Sequence, residues 1–423
     1  MTSQNAQRDD FDRLMSQWME AEGRVREPEQ LLESVLERTR VARRIPRWLL
    51  LERWIPVQLA TPLRAAPRLA PVLLLIALLL AAIVGIAVVG SQPRLPDPFG
   101  LAANGRVAYV SNGQIYAAGP DGSNAVALTF GTRTASTPAW SRDGTRVAYK
   151  LIGQRSPADD PTLFGDLVVV SADGSNPVTI ERDAMGMSPP SWSPDGRWVM
   201  YSYLVGDIDQ IFIAAADGSS PPRRVGDPDT INWAPMFSPD GSKILYFVDT
   251  DRVAVMNTDG TDDRRLNSSA FTELHSANWH PDGRQVIVSA ATTGKFDLWI
   301  LSLDAPERHL PVPGRAEVGP GWSPDGNRLV YLTTTTGTSF TLTVADRDGS
   351  NERALPGSFS DFNPTWSPDG TRIAAVNDLG SIARVVVVDP DGVVEPIQIS
   401  TVLPAEGVIA DRAVPAMWQR VAP

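Results

Sequence analysis

The longest run of apolar residues in the chain spans 69–90, where 22 consecutive positions carry no charge. At about 1.5 Å per residue, a helix of this length measures roughly 33 Å, close to the roughly 30 Å hydrocarbon core of a bilayer. A buried core helix would show a polar face. A signal peptide has a short preceding region and an apolar core of only about 7–15 residues. The pattern therefore predicts a transmembrane helix over residues 69–90.

Charge is distributed unevenly around this apolar run. Residues 41–68 carry six arginines against one glutamate, whereas the other flank carries Arg94 and Asp97. Since positive charge stays on the cytoplasmic side of a membrane, we expect the N-terminus inside the cell and the C-terminal part outside. Residues 91–423 hold 26 Lys and Arg against 39 Asp and Glu, a net charge of −13. This acidic balance argues against nucleic-acid binding, which needs a basic surface.

Two short amphipathic helices are predicted before the apolar run. Residues 9–22 place four large apolar side chains on one helical stripe, and Pro28 opens a second helix whose apolar side lies in 31–36. These helices are too small to form a large core. They either pack on each other, lie on the membrane or bind a partner, and a passive tail is the alternative. A helical tail before one membrane span resembles bacterial anti-sigma regulators in architecture, which implies a sigma factor as a candidate partner.

From residue 104 onward the dominant feature is an internal repeat. An aromatic residue followed by Ser-Pro-Asp-Gly, or by a close variant, occurs six times at intervals of 42 to 52 residues. We call these four residues the tetrad. With their aromatic residue, the six copies are Trp140–Gly144, Trp192–Gly196, Phe237–Gly241, Trp279–Gly283, Trp322–Gly326 and Trp366–Gly370. Each copy is followed by two β-rich runs and then by a second turn, which is Asp-Gly in most units.

Turn chemistry accounts for the tetrad. Ser, Pro, Asp and Gly suit the four positions of a type I turn in which the glycine adopts a positive φ. The preceding aromatic residue ends an inner strand, and we expect it to pack between neighbouring sheets. Each unit of roughly 40–45 residues is therefore predicted to be a four-stranded antiparallel sheet, which is the size of a propeller blade.

The tetrads resemble the WD-like propeller repeats of the TolB family, over about residues 104–420. The resemblance implies an extracytoplasmic β-propeller that serves as a binding platform. Three tetrad units depart from the pattern, because Arg142 replaces the proline, Phe237 the tryptophan and His280 the serine.

The two ends of this region determine the predicted number of blades. Residues 104–130 supply three strands with no tetrad before them, and the C-terminus supplies one strand around Trp418, 52 residues after Trp366. Together these four strands complete one unit beyond the six. We therefore predict a mainly β fold with a seven-bladed β-propeller, with six or eight blades as alternatives. The predicted organisation is a cytoplasmic helical segment and linker at 1–68, a transmembrane helix at 69–90, a linker at 91–103 and the propeller at 104–423.

Alternating strand direction sorts the connections onto two faces of the propeller. The tetrads and Asp-Gly turns all fall on one face, and their regularity indicates a structural role. The irregular loops fall on the other face, and binding residues concentrate on such loops. Aromatic residues beside acids there would suit a peptide or glycan, although solvated loop charges are the alternative interpretation. The candidate partner-binding residues are Asp207, Asp209, Asp229, Trp233, Phe271, Glu273, His275, Glu317, Asp361 and Phe362.

Composition narrows the chemistry further. The absence of cysteine excludes disulfides, thiolate zinc sites and cysteine nucleophiles, and three histidines make a three-histidine metal site unexpected. No G-x-S-x-G elbow, P-loop or G-x-G-x-x-G motif occurs. We therefore predict no enzyme, no cofactor and no metal. The 35 arginines against 3 lysines are typical of a GC-rich bacterial genome.

Three functional hypotheses remain. The leading one is a single-pass membrane protein whose propeller binds a protein, peptide or glycan without catalysis. The second is a transmembrane sensor whose cytoplasmic helices bind a regulator such as a sigma factor. The third, which the sequence favours least, is a hydrolase or lyase with its site in the propeller channel.

Overall fold

The computed structural model describes residues 101–153, 164–267, 270–310, 316–334, 340–359, 363–378, 382–399, 403–404 and 417–421. The chain divides into two units between Gln92 and Pro93, and every described residue belongs to the second. The predicted helices of 1–68 and the predicted span at 69–90 lie outside the described residues. Within the described ranges every regular element is a β-strand, and none is a helix that could cross a membrane.

The first sheet joins the last described strand to the first three. Its strands are β1 (Ala103–Ser111), β2 (Gln114–Ala118), β3 (Val126–Ala127) and β29 (Met417–Val421). The spatial order is β29, β1, β2, β3, and Trp418 lies opposite Val107 across the antiparallel pair of β29 and β1. The predicted pairing of the C-terminal strand with the N-terminal strands is therefore confirmed.

The second sheet has eight strands because two four-stranded units are joined. Its strands are β4 (Ala135–Trp140), β5 (Arg146–Ile152), β6 (Phe164–Ser171), β7 (Val178–Met185), β8 (Ser191–Trp192), β9 (Trp198–Val205), β10 (Ile208–Ala215) and β11 (Arg223–Val225). The join is the pairing of β7 with β9 at Met185 and Leu204. Each half otherwise has the same antiparallel order as the first sheet.

The remaining sheets repeat this plan. The third contains β12 (Asn232–Phe237), β13 (Lys243–Val248), β14 (Arg252–Asn257) and β15 (Arg264–Arg265). The fourth contains β16 (Glu273–Trp279), β17 (Gln285–Ala291), β18 (Phe296–Ser302) and β19 (Arg308–Leu310). The fifth contains β20 (Ala316–Trp322), β21 (Arg328–Thr334), β22 (Thr341–Asp346) and β23 (Arg353–Ala354). The sixth contains β24 (Thr365–Trp366), β25 (Ile373–Asp378), β26 (Ile382–Val388), β27 (Ile397–Gln398) and β28 (Leu403–Pro404).

The tetrads adopt the predicted turn. Their glycines have φ between 67° and 73°, a left-handed conformation that glycine adopts without steric cost. In the five tetrads that retain serine, its hydroxyl donates to the aspartate carboxylate over 2.5–2.7 Å. The same serine oxygen accepts the N–H of the first residue of the next strand, as between Trp198 and Ser193 at 2.9 Å. The turn aspartates are therefore structural.

Hydrophobic clusters fill the spaces between successive sheets. One cluster joins the fifth and sixth sheets through Leu332, Phe359 and Trp366. Another joins the sixth sheet back to the first through Val376 and Trp418. Because the last sheet packs on the first, the sheets form a closed circle. The described part of the chain is therefore an all-β, propeller-like fold.

Three of the recurrent tryptophans, Trp192, Trp279 and Trp418, donate an indole N–H to the neighbouring inner strand. The indole N–H of Trp192 donates to the carbonyl of Ala139 at 2.9 Å, across the two halves of the second sheet. The indole of Trp418 donates to the Thr365 carbonyl at 3.2 Å, across the junction of the sixth and first sheets. These bonds satisfy a buried donor and hold the inner strands together.

The inner strands also carry a repeated proline two residues before the aromatic position. Each inner strand has a hydrogen-bonded neighbour on one side only, so a proline, which lacks an N–H, fits its free edge and protects it from further pairing. The prolines are Pro138, Pro190, Pro235, Pro320 and Pro364. The residue before three of them has a positive φ, and the pairing register shifts at that point.

Candidate functional site

The two predicted faces are distinct in the structure. The tetrads and Asp-Gly turns form one face, which we call the turn face. Each tetrad glycine except Gly144 lies against the preceding tetrad, as Gly241 lies against Pro194, and Gly144 lies against Arg420 of β29. The opposite face, which we call the loop face, carries the irregular connections. Among them are the hairpin at 206–207 and the loop at 226–231.

The carboxylates predicted on the loop face are placed there by rigid local structure. Asp207 and Asp229 are exposed, and Asp209 is half-buried at the start of β10, where burial raises the pKa of its carboxyl group. Gln210 supports the loop that carries Asp229. The Gln210 amide donates to the Pro228 and Thr230 carbonyls, both at 3.1 Å. Asp229 therefore sits on a supported loop rather than on a free one.

A second group lies at the loop-face ends of two neighbouring inner strands. Glu273 is exposed and His275 half-buried on β16. On the neighbouring strand β20, Glu317 pairs with Thr333 of β21. The two strands contact each other, and Asn278 donates to the Pro320 carbonyl at 3.1 Å between them. His275 lies edge-on to Phe296, with ring centroids 5.7 Å apart. The fold thus places Glu317 of β20 at the same loop-face end as Glu273 and His275 of β16, about 40 residues earlier in the chain.

Of the two aromatic residues predicted as exposed anchors, Phe271 is part of the core, so its predicted exposure is wrong, and Trp233 is half-buried against the same cluster. Phe271 is buried and packs edge-on against Trp299, at 5.4 Å between centroids. Trp233 packs against Phe247, and its indole donates to the Asp249 carbonyl at 2.7 Å. Both belong to the cluster between the third and fourth sheets. The physical reason is that both side chains pack on aromatic residues of their own sheets, at the cluster where the third and fourth sheets meet. Asp361 and Phe362 lie outside the described residues.

The structure adds exposed residues that the sequence reasoning missed. Phe130 is 77% exposed on the loop that follows β3, and Val205 and Ile231 are also exposed on the loop face. Phe130 ends an apolar run that reads as a continuous strand, but the strand stops at Ala127. The only sequence signal for this early end is Gly131, directly after the phenylalanine.

An ion pair braces the loop that follows Phe130. The Arg133 guanidinium lies 2.7 Å from the Asp166 carboxylate, which is almost completely buried. The remaining Arg133 nitrogens donate to the Leu151 and Ile152 carbonyls, both at 2.9 Å. All these arginine donors are used inside the fold, so the pair supports the loop-face architecture.

The inner strands carry neutral side chains at a recurrent position. The residue before the recurrent aromatic is uncharged in every unit: Ala139, Ser191, Met236, Asn278, Gly321, Thr365 and Met417. No cluster of three His, Cys, Asp or Glu suited to a metal ion occurs among the described residues. This arrangement presents polar and charged groups at the loop-face mouth and neutral ones along the inner strands.

On the turn face, side chains reach from one unit to the next. The carbonyl of a tetrad glycine accepts a hydrogen bond from the preceding unit, as from Arg328 to Gly370 at 2.9 Å and from Gln419 to Gly144 at 2.6 Å. His280, the residue that departs from the tetrad pattern, makes the equivalent contact, with Nε2 3.1 Å from the Gly326 carbonyl. These contacts serve the ring, which leaves the loop face as the candidate interface.

Comparison with known proteins places this architecture in a family. The family model for the TolB beta propeller domain matches residues 162–406, which is more than half of the chain. The chain belongs to the TolB beta-propeller domain family. The resemblance of the tetrads to this family is therefore confirmed.

Two relatives of this TolB-domain chain are named as different kinds of protein. The Tol-Pal system protein TolB of Francisella tularensis subsp. mediasiatica is 27% identical over 260 residues, covering 49% of this chain and 59% of that protein. An uncharacterized peptidase, YuxL, of Bacillus subtilis is 28% identical over 200 residues, covering 46% of this chain and 28% of that protein. The chain thus spans less than two thirds of the length of either relative.

A solved structure extends the comparison. An oligogalacturonate lyase from Vibrio parahaemolyticus superposes with a TM-score of 0.54 at 13% identity, covering 71% of this chain and 94% of the lyase. At this identity the likeness concerns the fold alone. Since the TolB-domain relatives include a TolB protein and a peptidase, family membership does not decide between binding and catalysis.

Proposed function

We propose that residues 69–90 anchor this TolB-domain chain in the cell membrane and that its propeller binds a protein, peptide or glycan outside the cytoplasm without catalysis. The uncharged run of 22 residues and the arginines before it support the anchor and the orientation. The binding site in this proposal is the loop face, with Asp207, Asp229, Glu273 and His275 as its described polar residues.

The proposal includes a seven-bladed ring. Seven hydrophobic clusters support this count, because each one lies between two successive four-stranded units when the eight-stranded sheet is divided at its join. The first of these units combines β29 with β1, β2 and β3.

The contrast between the two faces carries the binding proposal. On the turn face, the tetrad serines and aspartates bond to each other, and arginines bond to carbonyls of the next unit. On the loop face, Asp207, Asp229 and Glu273 are exposed on connections that differ from unit to unit. A specific partner needs such differences, since identical repeats would offer several equivalent sites. The Tol-Pal system named in the Francisella relative supports a protein partner.

Site-specific photocrosslinking in living cells tests this proposal. A photoreactive amino acid at Asp229 samples the loop face, and one at Arg197, beside a tetrad, samples the turn face as a matched control. We expect a discrete crosslinked product from position 229 that is weakened by Glu273→Ala in the same chain, and no such product from position 197. A product from position 197 alone would contradict the assignment of the loop face.

Catalysis is a second candidate, favoured by one observation. The shared fold covers 94% of the oligogalacturonate lyase, so a chain of this architecture can constitute nearly a whole enzyme. In this chain Glu273 and His275 are the described titratable residues closest to the mouth on β16. Incubation of the purified chain with oligogalacturonate and with unblocked peptides tests this candidate. Turnover that is lost in Glu273→Gln would replace the binding proposal.

The cytoplasmic segment supports a regulatory extension of the main proposal. Two amphipathic stretches before the predicted span suit a helical partner, and a sigma factor is the candidate that the architecture implies. Deletion of residues 1–45 separates the two ideas. A pure extracytoplasmic binder keeps its crosslink at position 229 and shows no change in gene expression, whereas a sensor loses its transcriptional output.

A further inference from the structure

The chain enters the propeller on the turn face, at the sixth sheet. The N–H of Ala102 donates to the Pro368 carbonyl at 2.9 Å, and the Asn104 side chain accepts the N–H of Asp369 at 3.1 Å. Both partners belong to the last tetrad. Leu101 lies beside Gly370 of the same tetrad and is 61% exposed. The side chain of Leu101, the first described residue, is therefore apolar and exposed to solvent at this edge of the turn face.

Two more apolar side chains are exposed on the same edge. Val393 is 83% and Val394 47% exposed on the Asp-Gly turn of the sixth sheet. This turn is held firmly, because the Asp389 carboxylate accepts the N–H groups of Val393 at 3.2 Å and Val394 at 3.1 Å. A fixed turn that presents two valines to water loses hydrophobic free energy with no gain inside the fold.

Two arginines connect the apolar residues into one patch. Arg328 donates to the Gly370 carbonyl, beside Leu101, and lies 3.5 Å from the Asp391 carboxylate, two residues before Val393. Arg353 reaches the same carboxylate at 2.9 Å and also bonds to the Pro390 carbonyl. We call this patch the rim. Its members are Leu101, Arg328, Arg353, Val393 and Val394.

We propose that the rim rests in the lipid–water interface of the membrane that anchors the chain. Exposed aliphatic side chains on a rigid turn are suited to shallow insertion between lipid headgroups, and the pairing of Arg328 and Arg353 with Asp391 holds this turn in place. Only ten residues, 91–100, separate the predicted span from Leu101, and they extend at most about 35 Å. The turn face is then next to the bilayer, and the loop face is directed away from it.

This inference rests on the proposed membrane anchor. It also explains how a partner can reach the proposed binding site. A loop face that points away from the lipid is open to a large partner, whereas a turn face on the lipid is not. The rim also accounts for the exposure of Leu101, Val393 and Val394 on the turn face.

The absence of cysteine makes the test direct, because any introduced cysteine is the only one in the chain. The full chain is reconstituted in lipid vesicles as Val393→Cys, labelled with an environment-sensitive fluorophore, and measured with and without lipids that carry a nitroxide quencher near the headgroup. Ile231→Cys, an exposed apolar position on the loop face, is the matched control. We expect a blue shift and strong quenching at position 393, in neutral and in anionic vesicles, and neither effect at position 231.

The outcomes distinguish the rim from the anchor. If alkaline carbonate releases the full chain from the vesicles, the anchor is wrong and the rim proposal falls with it. If the chain resists extraction but position 393 is quenched no more than position 231, the anchor stands and the rim is overturned. Quenching at position 231 alone would reverse the face that meets the lipid.

Discussion

Closure of the ring by the C-terminal strand has a measurable energetic consequence at Trp418. The side chain is 7% exposed and packs between the sixth and first sheets, with Val107 opposite it on β1. Its indole N–H bonds to the Thr365 carbonyl at 3.2 Å. Trp418→Ala removes both the buried indole ring and this hydrogen bond at the junction of the sixth and first sheets. We call β29, with its contacts to the neighbouring sheets, the seam.

The expected loss of stability follows from the burial. Replacement of a buried tryptophan by alanine costs about 3–5 kcal/mol. With an unfolding entropy of about 2.1 cal/mol/K per residue, a propeller of about 320 residues has about 0.7 kcal/mol/K, so a loss of about 4 kcal/mol lowers Tm by about 6 °C. Trp418→Phe keeps most of the apolar area and loses the hydrogen bond, so we expect about 1 kcal/mol from the lost bond and a smaller further loss from the reduced area.

Thermal unfolding of the full chain in detergent, followed by circular dichroism, measures the series. Trp198→Ala is the matched control, because Trp198 is 36% exposed at the start of β9 and belongs to none of the buried clusters. The reasoning predicts a large shift for Trp418→Ala, a small one for Trp418→Phe and the smallest for Trp198→Ala. Equal shifts at Trp418 and Trp198 would refute closure through the C-terminal strand.

Three further predictions address topology, acid stability and the seam. Protease added to intact spheroplasts should degrade the propeller and spare residues 1–68, and the reverse protection pattern would contradict the proposed orientation. Burial raises the pKa of Asp325, but hydrogen bonds from Ser323 and Asn327 outweigh it and hold that pKa below its ordinary value of about 3.9. The resulting stabilisation is present above about pH 4 and is lost as the pH falls through the lower folded-state value, so the difference between wild type and Asp325→Asn in chemical denaturation should shrink below about pH 4. Gly144 and Gly206 both have positive φ, but a Cβ at Gly144 would collide with the Arg420 carbonyl, whereas one at Gly206 meets no atom within 4 Å. Gly144→Ala should therefore lower Tm clearly more than Gly206→Ala, and equal effects would show that the seam tolerates the added carbon.

The repeat made the fold largely predictable, because its information is local. Aromatic-Ser-Pro-Asp-Gly specifies a turn within five residues, and six copies at regular spacing imply stacked sheets. The unmatched strand around Trp418 and the three strands after residue 104 were enough to predict their pairing, which β29 and β1 form. Even His280, which departs from the tetrad, keeps the unit-to-unit contact by another route.

The candidate site was less predictable, because exposure depends on neighbours that are distant in sequence. Trp233 and Phe271 are aromatic residues in or beside irregular loops, yet each packs against an aromatic residue of another strand in its own sheet, so Phe271 is buried and Trp233 half-buried. Phe130 ends an apolar run that suggests a buried strand, but β3 stops before it and leaves the phenyl side chain exposed to water. The sequence pattern of one strand does not show which side chains from elsewhere in the fold will pack against it.

The sequence by itself determined the repeat length, the turns, the β character and the uncharged run at 69–90, since each depends on residues within a few turns or strands of one another. Only the tertiary structure decided which side chains the circle buries, which arginines join successive units, and where the chain enters the propeller. These features arise when sheets made from distant segments pack face to face, and the entry of Leu101 on the turn face, beside Gly370 of the last tetrad, is one of them.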